Sequence, residues 1–207
     1  MKVLLVNGSP HLEGSTFRAL MEIGSTLEKN GIETEIFQIG SEPISSCNVC
    51  SVCRDSGACV IEDVVNEFVE KAEMADGLIF GSPVHYAGIS GSLKAFLDRA
   101  FFANKSAKYR GKLGAGIVVC RRGGATAAFD QLNKYFTISQ MPIVSSQYWN
   151  MVHASIPEDV EQDLEGLQTM RVIGNNMAWL LKCIEAGKAA GITMPEQEPR
   201  EVTNFTR

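Results

Sequence analysis

Four of the chain's six cysteines fall in one short stretch, Cys47-x-x-Cys50-x-x-Cys53-x5-Cys59. Thiolates at this spacing let a single loop wrap one inorganic centre, and four of them match the ligand count of a [4Fe–4S] cluster. Tetrahedral zinc takes the same number of sulfurs, although Cys-x-x-Cys-x-x-Cys is tight for the usual paired knuckles. Free or redox-active thiols are the third reading. A disulfide framework is disfavoured, because such frameworks belong to small secreted domains. The other two cysteines, Cys120 and Cys183, stand alone and read as small buried hydrophobes.

A second chemistry lies at the beginning. The apolar run Val3-Leu4-Leu5-Val6 breaks into Asn7-Gly8-Ser9-Pro10-His11-Leu12-Glu13-Gly14-Ser15-Thr16. A buried strand ending in a hydroxyl- and glycine-rich turn before a helix presents free N–H groups and the positive end of the helix dipole to an anion. Ser9, Ser15 and Thr16 add hydroxyl donors. Neither Gly-x-Gly-x-x-Gly nor the lysine of a Walker loop is present, so a small phosphate monoester suits the turn better than a dinucleotide or triphosphate. An ordinary turn capped by Ser or Thr is the other reading of the same residues.

These residues need elements to hold them. Periodicity predicts strands at 1–7, 32–39, 77–80, 113–120 and 142–145, with helices at 15–29, 64–74, 91–102 and 125–136. Alternating strands and helices imply α/β architecture with a parallel sheet covered on both faces. Five strands suggest the flavodoxin-like order 2-1-3-4-5, a three-layer sandwich whose ligand crevice lies over the first and third strands. Beyond residue 156 a long helical region reaches about 187, with a brief interruption at Gly174, and a polar tail covers 194–207. The simplest organisation is a single domain over 1–207, with a core of about 1–150 and a helical extension and tail over about 157–207. That length can bury a full core.

A net charge of -5 argues against general nucleic-acid binding, which needs a basic face. No apolar run reaches the ~20 residues of a membrane span. The chain opens directly on a strand-like segment, so no signal peptide is expected and a cytoplasmic location is the default.

Three loops are expected at one edge of this sheet. They are Ser9-Pro10-His11-Leu12-Glu13-Gly14-Ser15-Thr16, then Gly81-Ser82-Pro83-Val84-His85-Tyr86-Ala87-Gly88 leading to Gly91-Ser92-Leu93-Lys94 and Leu97-Asp98-Arg99, and Cys120-Arg121-Arg122-Gly123-Gly124. Together they resemble the NAD(P)H-dependent FMN reductase family of the flavodoxin-like superfamily, over residues 1 to about 150. The resemblance implies FMN held by Ser9, His11, Ser15 and Thr16 at its phosphate, and by Pro83, Val84, His85, Tyr86, Cys120, Arg121, Gly123 and Gly124 around its ring. Relatives commonly carry Arg where this chain has His11, which shifts the phosphate onto the hydroxyls. Tyr86 is expected as an aromatic wall, with an ordinary core position as the alternative. Gly123 and Gly124 would let backbone approach the ring closely. Arg121 and Arg122 would stabilise an anionic reduced flavin or bind nicotinamide-cofactor phosphates, unless they are a solvated pair. The cofactor carries the hydride chemistry, so no catalytic side chain is required.

Within that superfamily the cysteine run is similar to the compact motif of the iron–sulfur flavoproteins, which implies Cys47, Cys50, Cys53 and Cys59 as metal ligands. The implied function is an FMN-dependent oxidoreductase taking hydride from NAD(P)H in a ping-pong cycle. Its acceptor would be a quinone, a nitro compound, a flavin or an iron–sulfur cluster. A redox- or metal-sensing flavin-binding protein with a reactive thiol loop is the rival. The resemblance also implies a homodimer or homotetramer. Trp149 is expected in the core, with a cover over a flavin of the same or a neighbouring subunit as the alternative.

Overall fold

The computed structural model describes residues 1–103, 108–199, 201–203 and 205. Strand β1 (Lys2–Asn7) runs between β2 (Glu33–Gln38) and β3 (Gly77–His85), and β5 (Leu113–Cys120) and β6 (Met151–His153) complete the parallel path. The order is β2-β1-β3-β5-β6, with a two-residue strand β4 (Gly88–Ile89) folded back antiparallel on β3. The expected architecture is therefore present with two corrections.

First, the sheet has six strands, because β4 forms a hairpin that the glycine-rich sequence concealed. Second, the fifth position in the path is taken by β6 and not by 142–145. The chain touches β5 once through the Gly114–Ile143 bridge, leaves it, and re-pairs only when Asn150 brings Met151 opposite Val118.

Strand β3 also runs past the expected end at Phe80. Gly81, Ser82 and Pro83 remain paired with Ile117, Val118 and Val119 of β5. Pairing with β1 stops at Gly81, so beyond that point β3 is an edge on one side. A proline is tolerated there because no ladder N–H is required of it.

Two apolar clusters lie on the two faces of the sheet, as alternation of side chains along strands demands. On one face Leu4, Val6, Leu78, Phe80 and Val118 pack against α3 (Val64–Met74), α4 (Gly91–Ala103) and α5 (Ala125–Ile138). On the other Val3, Leu5, Ile79 and Ile117 meet α1 (Ser15–Lys29) and α6 (Leu164–Ala189). Helix α1 buries Ala19, Leu20, Ile23 and Leu27, one helical stripe, and ends where Gly31 takes a left-handed φ of 77°.

Helix α6 is continuous through Gly174, which corrects the expected interruption. A Cβ at Gly174 would come within 2.8 Å of the Thr26 Cβ, so the glycine permits close approach of α6 to α1. Two other expectations fail on exposure: Cys183 and Trp149 are exposed rather than buried. Tyr86 is fully exposed, which sets aside its alternative core position. The described residues from Met194 onward lie on the surface; 200, 204, 206 and 207 of the expected tail fall outside the described residues. Among the described residues, no helix is long and apolar enough to cross a membrane.

Candidate functional site

Parallel pairing puts the carboxyl ends of β1, β3 and β5 at one edge, and the three predicted loops meet there. The first is shaped by a buried residue that the sequence reading passed over. Asn7 closes β1 with its amide inside: its Oδ1 accepts from the Ser9 N–H at 3.1 Å, and its Nδ2 donates to the His11 carbonyl at 3.2 Å and to Gln38 Oε1 at 2.6 Å. Gln38 Nε2 in turn donates to the Ser9 carbonyl at 2.7 Å. The legible signal was an amide ending an apolar strand, where a buried polar group must find partners.

The loop delivers α1 with an open N-terminus. Gly14 is its N-cap, no side chain caps it, and no acid sits in the first turn. The first-turn N–H groups of an α-helix have no partner within the helix. Ser9 and Thr16 are buried beside them, Ser15 is half-buried, and His11 is exposed. A positive helix end flanked by hydroxyls is the arrangement an anionic group needs.

The second loop is the β3–β4 hairpin. Val84 pairs with Ile89 and His85 with Gly88, leaving Tyr86 and Ala87 at the turn with φ of 50° and 59°. Two consecutive non-glycine residues in the left-handed region cost about 1–2 kcal/mol each. The surroundings hold them there. Gln131 of α5 accepts the Ile89 N–H at 3.1 Å. The Ser90 N–H donates to Ser82 Oγ at 3.0 Å, Ser90 Oγ donates to the Gly8 carbonyl at 2.8 Å, and the Leu93 N–H reaches Ser90 Oγ at 3.3 Å. One pair of serines thus ties the second loop to the first and caps α4. Gln131 and this serine pair were invisible to sequence reasoning, because only the fold brings them to the hairpin.

The third loop follows Cys120, whose thiol burial pushes up in pKa. Gly124, at φ 88°, lies against the hairpin: a Cβ there would stand 2.7 Å from Ala87 Cα. Gly123 has open space around it, so no neighbour in this structure requires a glycine there. Arg121 and Arg122 are exposed. A cavity of about 490 Å³ continues from Arg122 and Gly124 to Tyr148, Trp149 and His153.

The cysteine stretch lies apart, packed beneath the far half of α4. Cys47, Cys50, Cys53 and Cys59 line one small pocket with Arg99 and Phe102. Cys53 opens a single helical turn, α2 (Cys53–Ser56), and is buried; Cys50 is exposed and the other two half-buried. Val49 and Ser51, on either side of Cys50, have left-handed φ of 57° and 65°. The Val49 N–H donates to Cys47 Sγ at 3.4 Å, and Arg99 Nε donates to Cys59 Sγ at 3.3 Å. Burial pushes the Cys53 thiol up, and the charges of Cys59, Cys50 and Cys47 add to it. A thiol whose ionisation is opposed by burial and by neighbouring sulfurs is one that a bound cation would help to ionise. Among the described residues, no three His, Cys, Asp or Glu side chains already stand in a metal-holding group.

A flavodoxin-like α/β sheet whose three loops converge around an open helix N-terminus is the frame of a flavin-dependent oxidoreductase. A model of the NADPH-dependent FMN reductase family matches residues 1–155, and the chain belongs to that family. An iron–sulfur flavoprotein of Methanocaldococcus jannaschii is 33% identical over 192 residues, 89% of this chain and 100% of that one. Another, from Methanosarcina thermophila, is 29% identical over 91% of this chain and 99% of its own length. Among solved structures, a flavoenzyme NAD(P)H:(acceptor) oxidoreductase from Paracoccus denitrificans shares the fold at a TM-score of 0.59 and 18% identity, covering 85% of this chain and 96% of that one. The protein is an oxidoreductase enzyme of the flavodoxin-like class.

Proposed function

We propose that this protein is an electron-transfer flavoprotein that draws hydride from NAD(P)H through FMN and hands electrons on singly through a [4Fe–4S] cluster. The observation that carries this reading is the convergence of four cysteines on one pocket under α4, the helix whose other end is capped by Ser90 at the flavin hairpin. The kinship to iron–sulfur flavoproteins supports it.

Bound FMN would supply hydride acceptance and one-electron release, chemistry no side chain here offers. The chain's own residues bind and orient. The α1 N-terminus with Ser9, Ser15 and Thr16 holds the phosphate, and exposed His11 adds to its rim. Pro83, Val84, His85 and Tyr86 form a rigid edge for the ring, with the backbone from Cys120 to Gly124 opposite. Arg121 places positive charge where an electron-rich ring would need it. Cys47, Cys50, Cys53 and Cys59 hold the cluster, and the bound metal completes a geometry the free thiols only approach, as metal sites that order with their ion do. On this reading the partners are NAD(P)H and a small acceptor or redox protein, and the chain works as a homodimer or homotetramer in the cytoplasm.

The test is an absorbance spectrum of anaerobically purified protein, with iron and acid-labile sulfide counted in the same sample. Flavin with about four irons per chain, the [4Fe–4S] stoichiometry, is expected. Flavin without iron after reconstitution would reduce the reading to a simple FMN reductase with a thiol loop. No flavin after added FMN would overturn it, and flavin without NAD(P)H turnover would leave the sensor.

A further inference from the structure

Arg99 is 1% exposed and heads the fully buried side chains by size. A guanidinium taken that far from water needs partners for its whole fork. Nη1 donates to Asp63 Oδ2 at 2.5 Å, and Nη2 donates to Asp63 Oδ1 at 3.0 Å and to the Ile61 carbonyl at 2.8 Å. On its other side, Nε donates to Cys59 Sγ, 3.3 Å away.

Cys59 is held from its backbone as well. Asn66 accepts its N–H and donates to its carbonyl, both at 2.9 Å. Asp63 is fixed in turn as the N-cap of α3, accepting the Val65 N–H at 3.0 Å. Of the four thiols, Cys59 is thus the one gripped at its sulfur by α4 and at its backbone by α3. Among the described residues, the Cys47 sulfur meets the N–H two residues on, and the Cys53 sulfur makes a 4.0 Å contact with the Phe102 carbonyl.

We infer that Arg99 is a positioning residue for the iron–sulfur site, fixing Cys59 as its anchoring ligand and raising the reduction potential of the cluster. This rests on the cluster reading given above. Because Asp63 grips the Nη1–Nη2 end while the sulfur meets Nε, the positive group lies nearer the sulfur than its balancing carboxylate does. Adding one electron, delivered from the flavin and leaving to the acceptor, makes the centre more negative by one unit. An N–H bond and a positive charge at a ligand sulfur favour that more negative state, so the potential rises.

The experiment is a potentiometric titration of the cluster in the FMN-loaded protein, comparing wild type with Arg99→Gln and Asp63→Asn. Asparagine caps helices as well as aspartate does, so α3 keeps its start. Arg99→Gln is expected to cut the reduced-to-oxidised ratio at a fixed potential by about tenfold, a fall of about 59 mV for one electron. Asp63→Asn should move it the other way, which a purely structural role would not produce. The flavin potential should stay put in both. Loss of iron from Arg99→Gln with FMN retained would also support the anchoring role. Should Arg99→Gln not fold, wild-type protein labelled with ¹⁵N-arginine decides the matter, since the reduced cluster should show a nitrogen hyperfine coupling. Background iron in reconstituted wild type would overturn the cluster reading together with this inference. A cluster whose potential is the same in all three proteins, or which shows no arginine coupling, overturns this inference alone.

Discussion

The two chemical regions are built in opposite ways. The three-loop edge is finished by the fold: Asn7, Gln38, Ser82, Ser90 and Gln131 satisfy its backbone, and even two left-handed residues are held in place. The thiol stretch has one helical turn of its own, exposed or half-buried cysteines, and outside ties concentrated on Cys59. The first resembles a preorganised site, whose geometry costs little at the moment of binding. The second is a loop with a single fixed post, of the kind that closes around its metal. A protein can thus keep one site rigid while leaving the other to its ligand.

That contrast can be broken most sharply at α1. Ser15→Asp puts a carboxylate in the first helical turn, where the dipole favours it, yet opposite a bound phosphate. FMN content of the purified variant is expected to fall to background while its thermal midpoint holds; normal FMN stoichiometry would sink the phosphate assignment. Next, Cys50→Ser should remove iron and sulfide and leave FMN at the wild-type level, measured on the same sample. Loss of both together would mean that the regions are not independent. Gly124→Ala forces a Cβ onto Ala87 Cα at a φ of 88° and should cost about 2 kcal/mol in denaturant unfolding, with weaker FMN binding and unchanged iron. Gln131→Ala strands the Ile89 N–H and should cost about 1 kcal/mol by the same measurement.

The smallest effect serves as a control away from both sites. Hydrogen bonds from Lys2 and Lys71 hold Glu35 below the ordinary carboxylate value. Its contribution is complete above the unfolded-state pKa and fades as pH falls through the lower folded-state value. Wild type should therefore lose slightly more stability on acidification than Glu35→Gln does, with FMN and iron contents the same in the two proteins.

Much of the frame was legible because local signals agreed. Helix α1 was readable at both ends from its apolar stripe and the Asn30-Gly31 stop, and β5 from an unbroken apolar run. The three loops were readable because glycine, proline and hydroxyls cluster where strands end. What escaped depends on partners distant in sequence. Gly81-Ser82-Pro83 has turn composition, yet β5 recruits it as strand. Pro142 to Ser145 has strand composition, yet only one bridge forms before the chain swings out. Trp149 looks like core and stands in solvent, since hydrophobicity alone does not say which way a ring turns. Arg99 was visible as part of a motif, but burial and an Nε–sulfur bond are properties of three segments meeting.

Helix α4 starts just after the β3–β4 hairpin and carries Arg99 eight residues later, about 12 Å along its axis. On the proposed function it would act as a gauge block between two redox centres. Inserting one residue would lengthen it by only about 1.5 Å but turn everything beyond by about 100°, swinging the guanidinium off Cys59. On the proposed function, a single residue added to or removed from α4 would therefore break the path between the two sites, as surely as a changed spacing within the Cys47-x-x-Cys50-x-x-Cys53 run would.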